Sequence, residues 1–474
     1  MTLPAKFVER VLRDLGGTEG AALCAALDAE PPVSVRLNPA KTGADTLPAG
    51  PDAGLPVPEA AGLPALAIAG RVPWSRDGRY LAVRPSFTLD PDFHAGAYYV
   101  QEASSQFVGH LLAAVRTEGA RILDLCAAPG GKTTLYASLA GPDGLVVANE
   151  IDRRRASVLA DNVRKWGTGN VAVTTCEPRA LGDFEAWFDV VAVDAPCSGE
   201  GMFRNDPDAR GEWSEGNVKQ CAARQDEILR EAWRALRPGG TLVYSTCTFN
   251  RDEDEGALER MAAWAGDEIA ESEETAVEDA WGIVCGRVGA FRTFRFYPHR
   301  TCGEGFFAAV ARKSFDAGGR VRAPKARRTV FAAVDRKTAG ELARWVRNPG
   351  GMRFAAVADT CYAWYAAQAD AVRTLSEALP VIYSGVALGQ VFKGVLKPDP
   401  ALAFFDGLNR GALPAAELDD EETLRFLRRQ DIAAGGLAEG MNLVCSRGRA
   451  LGFAKRIGAR VNNLYPNSLR IIKQ

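Results

Sequence analysis

Two cysteines stand at positions where chemistry is possible. Cys197 lies in Asp194-Ala-Pro-Cys-Ser-Gly-Glu-Gly and Cys247 in Ser245-Thr-Cys-Thr, each after a short apolar run. A free cysteine is most often a small buried hydrophobe. That reading suits this pair poorly, because both fall at predicted strand ends and one follows an acid. A thiol of pKa about 8.5 is only slightly ionised at neutral pH, so a nucleophilic cysteine needs surroundings that lower its pKa. Pyrimidine C5 chemistry would give such a set a purpose. That carbon is too weak a nucleophile to take a methyl group directly. Thiolate addition at C6 makes an enamine whose C5 can attack, and a carboxyl group at N3 steadies the developing charge. A base must then remove the C5 proton so that the thiol can leave. One acid, Asp194, and two thiols suffice, and the residues alone leave open which thiol attacks.

A glycine-rich turn, Asp124-Leu-Cys126-Ala127-Ala128-Pro129-Gly130-Gly131-Lys132-Thr, admits three readings. A phosphate loop requires G-x-x-x-x-G-K-[ST]. Here Cys126 occupies the first glycine position, and Pro129 removes an N–H from the cradle. A dinucleotide fingerprint, G-x-G-x-x-G, is absent. The third reading is an adenosyl ligand without phosphates. Gly130 and Gly131 would then permit close approach, Asp124 would accept from an ammonium group, and Glu150 on the next strand end would receive the ribose hydroxyls.

The elements that must position these residues follow from periodicity. Short apolar runs at 121–125, 145–149, 171–175, 189–194 and 241–249 read as strands, separated by helical patterns of 10–15 residues. Such alternation predicts a mostly parallel, doubly wound α/β sheet, with ligands beyond the carboxyl ends of its strands. FRTFRFYPHR and GFFAAVARK predict two late strands closing the sheet near Lys313. A stretch rich in Pro, Gly and Ala over 41–70 reads as a surface insertion. Residues 312–328, with seven basic side chains, read as a linker that also touches phosphates. A second α/β stretch runs to about 405, and a small β-rich barrel ends the chain. Trp213 and Trp233 are expected in the core, and His94, His110 and His299 in structural roles.

With 474 residues and 47% apolar composition the chain can bury a large core, and about three domains are expected from its length. No uncharged apolar run is long enough to span a membrane. Ten cysteines without a C-x-x-C pair, beside only three histidines, predict no metal site and a reducing cytoplasmic compartment. The 57 basic and 59 acidic residues nearly cancel, yet residues 314–474 carry 24 against 15, a balance of +9, and the remainder 33 against 44, a balance of −11. Such asymmetry often marks a polyanion-binding module beside a catalytic one.

LDLCAAPGGKT, VDAPCSGEGMFR and YSTCTFNRDEDE resemble the motifs of the RNA cytosine-5 methyltransferase family (the Sun group), in its bacterial RsmF-type branch. SVRLNP and GAYYVQEASSQ resemble the family's small RNA-binding segment and its entry into the catalytic domain, and GFAKRIGARVNNLYPNSLR resembles a PUA-like tail. The resemblance implies a Rossmann-like methyltransferase sheet over 96–313. It also implies an N-terminal RNA-binding segment over 1–95, a linker and first C-terminal domain over 314–405 and a PUA-like RNA-binding domain over 406–474. It implies S-adenosyl-L-methionine as cofactor, small-subunit (16S) ribosomal RNA or its precursor particle as partner, and no membrane or metal. Residue by residue, Cys126, Ala127, Ala128, Pro129, Gly130, Gly131 and Lys132 would line the methionine side of the cofactor, and Glu150 would hold its ribose. Asp194 would reach the cofactor or the target base, Cys247 would be the nucleophile, and Cys197 would help resolve the adduct. Glu177 stands where the family has Asp near the adenine, and Phe453 where a Trp is common. Phe203 and Arg204 could stack on or clamp a flipped base, or simply pack. Competing readings are an RNA-binding assembly factor with a vestigial site, against which the intact Cys197, Cys247, Asp194 and Lys132 speak, and a DNA methyltransferase, which would not need the Thr-Cys cysteine.

Overall fold

The computed structural model describes residues 2–43 and 63–472, so most of the insertion expected over 41–70 lies outside the described residues. Two helices open the chain, α1 (Ala5–Leu15) and α2 (Gly17–Leu27). Phe7 and Val11, one turn apart, are the buried face of α1. The elements β1 (Val33–Leu37), α3 (Pro39–Thr42), β2 (Ile68–Arg71), β3 (Gly78–Leu81), α4 (Pro91–His94) and β4 (Tyr98–Val100) follow, and the strands form an antiparallel sheet in the order β2-β3-β1-β4.

The central unit runs through α5 (Phe107–Ala113), β5 (Arg121–Asp124), α6 (Gly131–Ala140), β6 (Leu145–Asn149), α7 (Arg153–Trp166), β7 (Val171–Thr174), α8 (Pro178–Gly182), β8 (Phe188–Asp194), α9 (Ala209–Glu212), α10 (Glu215–Ala235) and β9 (Leu236–Thr246). Its five strands pair in parallel in the order β9-β8-β5-β6-β7. Helices cover both faces, so β6 and β7 are buried at every position and carry continuous apolar runs. Helix α7 shows how locally the sequence dictates this. Asp152 caps it by accepting from Arg155 N–H, while Ala156, Leu159, Ala160 and Val163 make its buried stripe. Gly167, at φ +85°, ends it in the left-handed conformation. Strand order reverses at β5, which opens a crevice beyond the carboxyl ends of β5 and β8.

The sheet is extended on both sides. Beyond β9 lie the antiparallel strands Phe306–Lys313, Phe291–Phe296 and Val284–Val288, which include the late strand pair read from the sequence. Beyond β7 lies Val381–Ser384, a strand contributed from past Lys313 that pattern alone does not assign to this sheet. Residues 332–398 otherwise form a separate antiparallel sheet, and the last unit is a four-stranded sheet with the helix Asp420–Leu427. Arg447 and Arg449 of this last unit dock onto the N-terminal segment, pairing with the buried Asp90 and Asp92 at 2.8–3.2 Å. Among the described residues no helix is long and apolar enough to cross a membrane.

Candidate active site

The turn after β5 carries the cofactor side of the site. Gly130 has φ +111°, and a Cβ there would meet Leu159 at 3.0 Å, so the backbone requires glycine. Three side chains hold the loop by its carbonyls. Arg155 Nη2 donates to Ala128 O at 3.0 Å, Asn162 Nδ2 to Pro129 O at 2.8 Å, and Tyr99 OH to Pro129 O at 3.2 Å. Arg36, buried beneath the loop, donates to Gly131 O at 3.1 Å and packs over the Trp166 ring. The Cys126 thiol is pushed up by burial and by the surrounding carboxylates, which makes it a neutral wall and not a nucleophile.

Two acids face this loop from successive strand ends. Asp124 is buried, and Thr133 donates to its Oδ2 at 2.6 Å, while Oδ1 has no partner. Burial pushes this carboxyl up to about 7, against the Thr133 hydrogen bond. An unpaired buried acceptor beside a glycine-opened loop fits the ammonium of an adenosyl amino acid. Glu150, also buried, has its carboxylate fixed by Asp152 N–H at 3.0 Å and Arg155 Nη1 at 3.1 Å.

The second half of the site joins the ends of β8 and β9. The Sγ atoms of Cys197 and Cys247 lie 3.2 Å apart. Asp194 pairs with Lys132 Nζ at 2.8 Å and accepts from Ser245 OH at 2.7 Å. Burial works against the Lys132 charge, but Asp194 outweighs it and raises the ammonium's pKa. The Cys197 thiol is pushed well up by its hydrogen bond with Cys247 and by burial. The turn therefore contributes Lys132 to the cysteine side, and residues of two separate motifs, Lys132 and Asp194, become one charge pair.

Sequence reasoning did not reach the residues that set the thiol spacing. Gly201 N–H donates to Cys247 O at 2.9 Å, and a Cβ at Gly201 would strike Gly305 O, so this contact needs glycine. Glu253 Oε2 accepts from Ser198 N–H and Gln225 Nε2, both at 2.9 Å, and its Oε1 accepts from Asn250 Nδ2 at 2.6 Å. Glu200 Oε2 accepts from Phe249 N–H at 3.1 Å. Glu200 and Glu253 stand within the quoted motifs, but nothing in their spacing announces which donors they meet.

Other expectations change. Phe203 is fully buried edge-on against Phe7, with ring centroids 5.1 Å apart. Arg204 is enclosed with Glu304 at 3.0 Å and donates to Gly303 O. Neither faces a base, because the loop bearing them folds inward against α1. In the basic linker, Lys313 is buried and donates to the carbonyls of Trp233 and Leu236, and Arg312 pairs with Glu273, so neither faces phosphate. Trp213 and Trp233 are buried as expected. The histidines do have partners: His94 meets Tyr465 OH, His110 the Ala276 carbonyl and His299 the Glu19 carboxylate. Glu177 is exposed at the end of β7, on the same sheet edge as Glu150. Phe453 is buried against Trp345 and offers no exposed stacking face. Among the described residues no group of His, Cys, Asp and Glu is placed to hold a metal ion.

Comparison with known proteins decides the family. A model described as 16S rRNA methyltransferase RsmB/F matches residues 111–312, a model for the N-terminal domain of 16S rRNA methyltransferase RsmF matches 3–103, and a model for the methyltransferase RsmF PUA domain matches 414–471. Ribosomal RNA small subunit methyltransferase F of Shewanella loihica is 32% identical over 418 residues, covering 84% of this chain and 83% of that one. The protein of that name from Escherichia coli O127:H6 is 32% identical over 425 residues, covering 84% of each. The chain belongs to the RsmB/F family of rRNA methyltransferases. Among solved structures, a methyltransferase homolog protein from Pyrococcus horikoshii shares 27% identity at TM-score 0.53, covering 65% of this chain and 94% of that one. NSun6 from the same organism, solved with SFG, shares the fold at TM-score 0.54 and 21% identity, covering 66% of this chain and 98% of that one. In this RsmB/F member, as in its family, S-adenosyl-L-methionine is the methyl donor.

Proposed function

We propose that the protein methylates C5 of cytosine in small-subunit 16S ribosomal RNA or its precursor particle, through a covalent bond between Cys247 and C6. The observation that carries this reading is the pair of thiols 3.2 Å apart beside the Asp194–Lys132 pair, at the strand ends next to the cofactor loop. The curated relatives' names supply the rRNA substrate. Cys126–Lys132 would line S-adenosylmethionine, with Asp124 holding its ammonium and Glu150 its ribose, and the bound cofactor would supply the methyl group.

The chain's own groups do the rest. Cys247 Sγ adds to C6 and the C5–C6 π electrons become available at C5. Asp194, fixed by Ser245 and Lys132, accepts from the exocyclic N4–H of the base, and the Lys132 ammonium beside it steadies the negative charge that develops at N3. Cys197, having released its own proton to solvent, then takes the C5 proton as the thiolate and returns to the thiol. A thiolate whose pKa is raised is the stronger base once formed. The C5–H electron pair re-forms the double bond and expels Cys247. The target base must leave its stack to reach thiols this enclosed. The N-terminal segment and the PUA-like unit are the surfaces that hold the RNA, in a cytoplasmic setting.

Cys247→Ala should abolish tritiated-methyl transfer to RNA while S-adenosylhomocysteine still binds. Retained transfer would overturn the assignment of the nucleophile. Bisulfite sequencing of rRNA from a deletion strain should show one or more small-subunit cytosines losing protection, and an unchanged pattern would overturn the substrate.

A further inference from the structure

The two cysteine loops do not hold each other unaided. Glu200, three residues after Cys197, is fully buried. Its Oε2 accepts from the Phe249 N–H, and its Oε1 accepts from Asn250 Nδ2 at 3.2 Å, so it joins the loop after Cys197 to the loop after Cys247. The same Oε1 accepts from Trp213 Nε1 at 2.9 Å and from Arg10 Nη2 of α1. Arg10 is the cation that pairs with Glu200 among the described residues. Its guanidinium also lies over the Trp213 ring at 5.2 Å, and Phe7, one turn earlier on α1, packs edge-on against Phe203 of the Cys197 loop. A buried carboxylate stripped of its cation is strongly unfavourable, and it would move towards water or other donors. The other cations of α1 are occupied elsewhere: Lys6 pairs with Glu215 and Arg13 with Asp14, both in solvent.

We propose that Arg10 is a positioning residue for the two-thiol chemistry. From the N-terminal helix it fixes Glu200, Glu200 fixes the spacing of Cys197 and Cys247, and α1 is therefore part of the active site's frame and not only an RNA-binding appendage. The catalytic consequence rests on the cytosine-C5 reading above, whereas the thiol geometry can be read without it. The domain matched by the RsmB/F model alone, which begins at residue 111, lacks this cation.

The test uses the full-length protein with Arg10→Met, Arg10→Lys and, on the same helix, Lys6→Ala. Two readouts are taken on folded protein. The first is kcat for RNA methylation at saturating cofactor, alongside S-adenosylhomocysteine affinity. The second is the rate at which hydrogen peroxide bridges Cys197 and Cys247, in which the two thiols are oxidised to a disulfide and the peroxide is reduced to two waters. Arg10→Met should lower both kcat and the bridging rate by roughly 10- to 100-fold, the scale of a small misplacement of reacting groups. Cofactor affinity should stay within about twofold, because the cofactor loop touches neither Arg10 nor Glu200. Arg10→Lys, which keeps the charge but loses the planar fork, should fall between wild type and Arg10→Met. Lys6→Ala should match wild type in the bridging rate, which is measured without RNA and so does not depend on any phosphate contact of this exposed side chain. A purely structural role would lower the melting temperature and leave both rates of the folded protein unchanged, and that result would overturn the proposal. If Arg10→Met does not fold, Arg10→Lys is read in the same way, and wild-type rates in it overturn the proposal. A wild-type protein that does not methylate cytosine would sink the functional reading alone, since the bridging rate still tests Arg10.

Discussion

The two halves of the site are built differently. On the cofactor side the functional atoms belong to one continuous turn, and most of its supports come from the next helix: Arg155 and Asn162 of α7 hold the Ala128 and Pro129 carbonyls, and Gly130 packs on Leu159 of the same helix. On the cysteine side the functional atoms come from two loops 50 residues apart, and their supports reach back to residue 10 and forward to Gly305. The cofactor half is therefore largely a local structure that a motif nearly specifies, with Arg36 and Tyr99 as its supports from outside the unit. The thiol half is a non-local one, whose geometry depends on buried carboxylates satisfied by distant donors. Damage to the first should appear as lost cofactor affinity, and damage to the second as lost turnover.

The largest contrast is expected from Cys197→Ala. This variant should still bind S-adenosylhomocysteine as wild type does, yet accumulate a covalent RNA–protein adduct visible as a shifted band on a denaturing gel. The absence of that band would remove Cys197 from the resolving role. Next comes Glu253→Ala, which strands the Ser198 N–H and takes one acceptor from each of the Gln225 and Asn250 amides, leaving them Pro196 O and Thr248 Oγ1. It should cost about 3 kcal/mol of stability in urea unfolding and lower kcat roughly tenfold or more, with cofactor affinity little changed. A variant that instead weakened cofactor binding would dissolve the division between the two halves.

The cofactor half is tested by pH. Asp124 is held up to about 7 in the free protein, chiefly by burial. An ammonium ligand binds the ionised form, so affinity for S-adenosylhomocysteine should rise as pH rises through about 7 and fall below it, with proton release on binding at lower pH. The same raised value means that ionising Asp124 costs folding stability: its contribution is most favourable below the unfolded carboxyl value, and it declines as pH rises from there through about 7. Asp124→Asn should flatten the affinity profile, and titration calorimetry at pH 6 and 8 checks both variants. The smallest effect belongs to Asn162→Ala. Loss of one hydrogen bond to Pro129 O is worth about 1 kcal/mol, so affinity should fall roughly fivefold with kcat at saturation unchanged.

The same division explains what the sequence could reveal. The strand–helix alternation, the turn at Asp124–Lys132, the acids at Glu150 and Asp194 and both cysteines were legible, because each depends on residue types at short spacing. Phe203 and Arg204 were not, since whether a loop aromatic faces a ligand or a helix depends on what packs against it, here α1 and Glu304. Charge arithmetic over residues 314–474 likewise counts Arg447 and Arg449 as cations for RNA, whereas Asp90 and Asp92, in another segment, already neutralise them. Sequence proximity cannot reveal a partner more than 350 positions away.

The strand Val381–Ser384 has a consequence for how this protein can be divided. It covers the outer edge of β7, with Val381, Tyr383 and Ser384 opposite Thr174, Val173 and Ala172. A fragment ending at Lys313 would retain the loop, the thiols and the acids, but would leave β7, buried at every position in the full chain, with unsatisfied backbone groups facing water. Such an edge templates pairing with a second molecule. The C-terminal portion thus acts as a built-in guard against self-association, and a minimal catalytic fragment should be sought by keeping residues 381–384, not by cutting at the end of the matched methyltransferase domain.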